Sequence, residues 1–143
     1  MRISDIIRHK GSDVATITPA DSVRELLARL AENNVGALVV VDGESVVGIV
    51  SERDVVRRLH SDGDTVLSAN VGSLMTSMVR STTLNESIDS VAEAMTEQRI
   101  RHMPVLRDGT LVGIVSIGDV VAARMRQLEA DRGQLERYIT QGR

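Results

Sequence analysis

The sequence predicts a mixed α/β (α+β) fold: tandem βαββα repeats related by pseudo-twofold symmetry, with an extended C-terminal helix. Three observations predict it. The stretch "VGIVSERDVV" (Val47 to Val56) returns almost unchanged as "VGIVSIGDVV" (Val112 to Val121). A single shift of 65 residues superimposes Gly48 on Gly113, Ser51 on Ser116 and Asp54 on Asp119, and also Thr18 on Thr83, Ser22 on Ser87, Glu32 on Glu97 and Val40 on Val105. Both halves also show the same succession of helical periodicity and short β-branched runs. The period is too long, and the copies too few, for a solenoid. The repeats are placed at residues 1–65 and 66–124, forming one compact module, with a helical tail over 125–143.

Each element follows from local chemistry. "ISDII" (Ile3 to Ile7) opens the chain and matches "VGSLM" (Val71 to Met75) after a small change of spacing. Thr16 to Thr18 is a short extended piece closed by Pro19. In "ADSVRELLARLAENN", Asp21 or Ser22 can cap a helix whose Val23, Leu26, Leu27 and Leu30 recur on one face. "ALVVV" (Ala37 to Val41) is a continuous β-branched run, expected of a strand covered on both sides. "DGES" (Asp42 to Ser45) is a turn, "VVGIVS" a returning strand, and "ERDVVRRL" the start of another helix. The second half repeats this order as "STT", "NESIDSVAEAMTEQ", "MPVL", "RDGT", "LVGIVS" and "IGDVVAARM". One such unit leaves its sheet exposed, whereas two stacked face to face bury both. The last helix continues into "QLERYI", with Leu128, Leu135, Tyr138 and Ile139 as apolar positions; a break or kink is expected at Gly133.

Bulk properties narrow the function. The chain has 143 residues, long enough for a core, with 42% hydrophobic and 26% charged residues, which argues against disorder. Without cysteine, disulfides, thiolate metal sites and cysteine nucleophiles are excluded. A net charge of -3 gives no general attraction to nucleic acid, and Tyr138 as the only aromatic leaves no stacking platforms for single strands. No apolar run approaches the roughly 18 residues of a membrane span. The N-terminus does not read as a signal peptide, because Asp5 interrupts its apolar stretch and no small-residue cleavage site follows. A cytoplasmic protein with no membrane and no nucleic-acid partner is the expectation. There is no Walker-type loop and no His-Glu-x-x-His, and neither Ser51 nor Ser116 lies in a nucleophile motif, so no enzyme is expected.

The repeated Ser-x-x-Asp carries the chemistry. If the helix begins after Ser51, that serine is an N-cap and Asp54 lies in the first turn. One reading is a reciprocal capping pair. The other uses the same geometry for a ligand: a carboxylate at a helix start can accept the vicinal hydroxyls of a ribose, and a nearby hydroxyl and backbone N–H groups can take a phosphate oxygen. Gly48 and Gly113 read as tight backbone within a strand rather than as ligand contacts.

Two copies of Gly–apolar–x–Ser–x–x–Asp, each closing a βαββα unit, resemble the cystathionine-β-synthase (CBS) domain pair, or Bateman module. "RIRHMPVL" and the tail "QLERYI" are similar to stand-alone bacterial CBS-pair proteins, and the resemblance runs from Ile3 to about Ile139. It implies adenosine ligands between the repeats: AMP, or ADP, ATP or NAD(H). Carried over residue by residue, it implies Ser51 and Asp54 at one site, and Ser116 and Asp119 at the other. It further implies phosphate contacts from Arg101 and His102, paired with Asp54 across the pseudo-twofold; the first half has uncharged Gly36 and Ala37 there. Arg53 is a further phosphate candidate, its counterpart at the second site being Gly118. Arg99 is read as a solvated surface group.

For the adenine, the resemblance implies Thr16, Ile17, Val35, Gly36 and Ala37, with Thr82, Thr83, Ile100, Met103 and Pro104 in the second half; most of these serve equally as core. His102 has no partner at metal-ligand spacing, so no metal is expected. The family also implies a disc-like homodimer, clamped by the C-terminal tail, and a protein partner acting in trans because no effector domain is fused. The alternative is a structural or oligomerisation module whose nucleotide clefts are vestigial.

Overall fold

The computed structural model describes residues 1–77 and 79–141. Two three-stranded sheets of identical plan carry the fold. In the first, β1 (Thr16–Ile17) runs parallel to β2 (Ala37–Asp42), which pairs antiparallel with β3 (Ser45–Ser51). In the second, β4 (Thr82–Thr83), β5 (His102–Arg107) and β6 (Thr110–Ser116) repeat this order. The register even slips at the same place, between Val40 and Val41 in one sheet and between Val105 and Leu106 in the other. These are the tandem βαββα units expected from the repeat.

The helices are α1 (Ile3–Lys10), α2 (Val23–Asn33), α3 (Glu52–Asp62), α4 (Val71–Leu74), α5 (Ile88–Gln98) and α6 (Ile117–Gln141), with a 3-10 turn over Gly63–Ser68. Ser22 and Ser87 cap α2 and α5, accepting from the N–H groups of Glu25 and Ser90 at 3.1 Å each. Both helices end on a left-handed residue, Asn34 (φ 52°) and its counterpart Arg99 (φ 55°). Asparagine tolerates that conformation; arginine adopts it far less often.

The two apolar cores are assembled across the sequence repeats. Ile3 and Ile6 of α1 pack with Ile88, Val91, Met103 and Val115 of the second half. Val71 and Leu74 of α4 pack with Val23, Leu26, Leu38 and Val50 of the first. Matching backbone bonds fix both arrangements: Ile88 N–H donates to Met1 O at 3.1 Å, and Val23 N–H donates to Ala69 O at 2.9 Å. The likeness of "ISDII" to "VGSLM" therefore reflects one structural role played twice.

The glycines of the repeated stretch are explained by the same packing. A Cβ on Gly48 would stand 2.7 Å from Met75 Sδ and 2.9 Å from Thr76 O, and one on Gly113 would stand 2.6 Å from Ile7 Cδ1. Gly48 lets the segment just after α4 lie directly on β3, and Gly113 does the same for α1 on β6.

The expectation of a break at Gly133 is corrected: α6 is one helix of 25 residues. Gly133 has nothing within 4 Å of a built Cβ, so it costs only its intrinsic propensity, about 1 kcal/mol, within a long cooperative helix. The neighbouring Arg132–Glu136 pair, at 3.1 Å, spans the position.

Candidate functional site

The two helix starts that carry the repeated Ser–Asp pairs differ in what meets them. At α3, Ser51 is the N-cap. Its N–H donates to Asp54 Oδ2 at 2.8 Å, its hydroxyl donates to the same oxygen at 3.1 Å, and Asp54 N–H donates back to Ser51 Oγ at 3.4 Å. Glu52 N–H donates to Gly36 O at 3.0 Å, tying the helix start to the entry of β2. The capping reading of Ser51 and Asp54 is therefore realised, and through Oδ2 alone. Among the described residues, no hydrogen bond reaches Asp54 Oδ1.

Asp54 lines a cleft of about 490 Å³, within the range of small-molecule sites. Its titratable lining is Glu52, Arg53, Asp54 and Arg57 from α3, Arg80 after α4, Arg99 and Arg101 from the α5–β5 connection, and His102 at the start of β5. Ala37, Ile49, Val79 and Ile100 supply aliphatic wall. Gly36 lies between the start of α3 and His102: a Cβ there would stand 3.1 Å from Glu52 Oε1 and 3.8 Å from the imidazole.

At α6 the capping pattern recurs, with Ser116 N–H donating to Asp119 Oδ2 at 2.8 Å and Asp119 N–H to Ser116 Oγ at 3.1 Å. Here a third group intervenes. Lys10, the last residue of α1, places Nζ 2.7 Å from Asp119 Oδ2 and 2.9 Å from Ile114 O. Lys10 arrives there because α1 packs on the second sheet. Burial pushes the Asp119 carboxyl up, but the Lys10 ammonium and the Ser116 donors outweigh it and hold the group below the ordinary carboxylate range.

His102 lies between the two helix starts. Burial lowers its pKa below the ordinary imidazole value, and the charges of Lys10 and Arg101 lower it further, opposed in part by Asp119 and Glu52. It is the neutral imidazole that stands in the cleft at pH 7.

Of the residues singled out in the sequence, the cleft brings together Gly36, Ala37, Ser51, Arg53, Asp54, Ile100, Arg101 and His102. The others lie outside its lining. Thr16 and Ile17 are in the β1 ladder, where Thr16 O accepts from Arg29 Nη1 at 2.8 Å and Ile17 is buried in the first core. Val35 is exposed at the end of α2. Thr82 is buried with its hydroxyl on Glu86 Oε2 at 2.9 Å, and Thr83 continues the β4 ladder. Met103 belongs to the second core and Pro104 is buried beside it in β5. Ser116, Gly118 and Asp119 form the start of α6, where Lys10 stands.

The sequence reading missed Ile49, Glu52, Arg57, Thr76, Val79, Arg80 and Gln98 as lining. Arg57 was within reach of it, since a residue three positions after Asp54 shares its helix face. Arg99, expected as a plain surface group, is exposed but stands in the cleft wall. Among the described residues, no three His, Asp or Glu side chains are grouped closely enough to hold a metal ion.

The family model of the CBS domain matches the chain twice, over residues 3–61 and 71–126. The chain belongs to the CBS-domain family. A CBS-domain containing protein from Agrobacterium tumefaciens is 40% identical with a TM-score of 0.85, the match covering 87% of this chain and 99% of that one. The CBS domain pair of protein MJ0100, solved in complex with 5′-methylthioadenosine and S-adenosyl-L-methionine, is 25% identical with a TM-score of 0.79, covering 89% and 98%. A CBS domain protein from Pyrobaculum aerophilum, complexed with AMP, is 28% identical with a TM-score of 0.74, covering 83% and 89%. The two CBS repeats of the present chain thus share a fold with relatives solved with adenosine ligands, and they differ from one another in what meets each repeated Ser–Asp pair: an open cationic cleft in one, a lysine in the other.

Proposed function

We propose that this CBS pair is a non-enzymatic regulatory module that binds AMP, or a relative among ADP, ATP and NAD(H), in the cleft beside Asp54. The observation that carries the reading is the double duty of that carboxylate: Oδ2 caps α3 while Oδ1 is left for a ligand, in a cleft that also holds cationic and aliphatic wall. Ribose hydroxyls donate to Asp54, the aliphatic side chains of Ala37, Ile49, Val79 and Ile100 flank the base, and Arg53, Arg101 and His102 receive phosphate. The adenosine ligands of two related structures support the choice of ligand class.

One cleft per chain is filled in this reading. Asp119 is already neutralised by Lys10, and the positions matching Arg53, Arg101 and His102 are Gly118, Gly36 and Ala37. Binding alters the module's packing against a protein partner in trans, and it does so only to the extent that the ligand prefers one arrangement. A homodimer is part of the proposal: Val121, Met125, Leu128, Leu135 and Ile139 are exposed along α6 at three-, four- and seven-residue intervals, the spacing of a helix–helix seam. A cytoplasmic location belongs to the same proposal and rests on the sequence reading.

The alternative, a scaffold with vestigial clefts, is favoured by one observation: both Ser–Asp pairs already serve as caps. Calorimetry of Asp54→Ala against Asp119→Ala separates the two. Each variant loses the N3 half of a capping box, and Asp119→Ala also frees Lys10, so the melting temperature of each is measured beside its affinity. Asp54→Ala is expected to weaken nucleotide binding by about 10- to 100-fold, from the loss of hydrogen bonds to a charged acceptor, with Asp119→Ala near wild type. A wild-type chain whose melting temperature ignores AMP, ADP, ATP and NAD(H) refutes the sensor reading, because saturation at 100 times Kd adds about 2.7 kcal/mol.

A further inference from the structure

Five arginines face the cleft: Arg53 and Arg57 on α3, Arg80 beyond α4, and Arg99 and Arg101 on the α5–β5 connection. Among the described residues none of the five is in an ion pair, whereas Arg8, Arg29, Arg58, Arg124 and Arg132 each reach a carboxylate. Among the described residues the only acids in the lining are Glu52 and Asp54, which gives the cleft a formal +3 with His102 neutral, on a chain whose net charge is -3. Like charges gathered without counter-charge raise the free energy of the empty cleft, and a polyanion relieves it.

We propose that the cleft is built for a nucleotide bearing a pyrophosphate or longer phosphate chain, and that a nucleoside monophosphate fills it only in part. The proposal rests on the nucleotide reading above and names which member of that class the site prefers. One phosphate monoester brings roughly two negative charges, fewer than the excess present. The cations also stand on two walls of the cleft. Arg53 and Arg57 are separated by one turn, about 6 Å along α3, and Arg99 and Arg101 stand on the other half of the module. A chain of phosphates leaving a ribose held at Asp54 can run between these two walls, with guanidinium forks on either side.

The end of α5 gives a second indication. Arg99 occupies the left-handed position that Asn34 fills in the first repeat, a conformation asparagine accepts more readily. Capping alone would be better served by the first repeat's choice. Arginine there puts a cation in the cleft wall instead. Likewise Arg57 stands where the second repeat has Ala122.

Those counterparts supply gentle variants, Arg99→Asn and Arg57→Ala, each a residue that the other repeat already accommodates. Calorimetry of the intact chain with AMP, ADP, ATP, inorganic tripolyphosphate and S-adenosylmethionine tests the proposal, with melting temperatures of the variants as the folding control. Affinity is expected to rise from AMP to ADP to ATP, by at least tenfold overall, with a steeper salt dependence for ATP. Each variant should lose about three- to tenfold for ATP while holding AMP within twofold, and S-adenosylmethionine, with its added positive charge, should bind weakest. AMP binding as tightly as ATP, with both variants silent, overturns the proposal and leaves the nucleotide reading standing. Tripolyphosphate binding as tightly as ATP, or no nucleotide binding at all, overturns both.

Discussion

Replacing Lys10 by methionine isolates the contact that distinguishes the two CBS repeats. The ammonium makes two hydrogen bonds, 2.7 Å to Asp119 Oδ2 and 2.9 Å to Ile114 O, and both charged side chains are partly exposed, at 33% and 23%. A charge-assisted hydrogen bond contributes about 1.5–3 kcal/mol, and partial exposure brings the pair to the low end, about 1.5 kcal/mol. A ribose competing for Asp119 must therefore overcome roughly a tenfold handicap. Because the second cleft lacks cations matching Arg53, Arg101 and His102, the clean probe is neutral adenosine, which reports ribose and base contacts alone. In an Asp54→Ala background the first cleft is silenced and adenosine binding should be lost. Adding Lys10→Met should restore weak binding, at least tenfold tighter than in Asp54→Ala, through the freed Asp119. Calorimetric stoichiometry reads both states, and the melting temperature should fall by an amount equivalent to about 1.5 kcal/mol. Equal titrations of Asp54→Ala and the double variant, or two filled sites in the wild type, would refute the assignment of Lys10 as the occupant.

Three further outcomes follow from the geometry. Gly48→Ala should destabilise the fold by about 1–3 kcal/mol and by more than Gly113→Ala in chemical denaturation, because its Cβ meets the Thr76 carbonyl at 2.9 Å whereas Gly113 meets the movable end of Ile7. His102 has a folded pKa below the ordinary value, so the unfolded chain binds more protons; its contribution to stability is complete above pH 6.5 and is lost as pH falls through the lowered value. His102→Asn should flatten the fall in melting temperature between pH 7.5 and 5.5, and an unchanged profile would count against a neutral imidazole in the cleft. Along α6, Leu128→Glu with Ile139→Glu should convert a dimer to a monomer in light scattering without loss of helicity; a wild-type chain that is already a monomer removes the seam from the account.

The fold was legible because it is written twice. A shift that aligns Ser51 with Ser116 also aligns caps, strands and turns, and local chemistry is the same in each copy. What stayed hidden lies in contacts that leave no periodic trace. Lys10 meets Asp119 across 109 residues, and only the exchange of α1 onto the second sheet brings them together. Arg80 follows α4 with no counterpart in the pattern, and Arg99 reads as surface until its left-handed backbone at the end of α5 puts it in the cleft wall. Gly133 misled for the opposite reason: a local propensity cost was given more weight than the cooperativity of 25 helical residues. Thr16, Thr82 and Met103, which the resemblance implies for the adenine, lie outside the cleft lining; Thr16 O accepts from Arg29, the Thr82 hydroxyl donates to Glu86, and Met103 is in the second core.

A crystal structure of the intact chain grown with ATP tests the central claim most directly. One nucleotide per chain is expected, its ribose hydroxyls on the Asp54 carboxylate, its phosphates between Arg57 and Arg101, and Lys10 still on Asp119. A nucleotide seated at Asp119 with Lys10 displaced, and the Asp54 cleft empty, would contradict it.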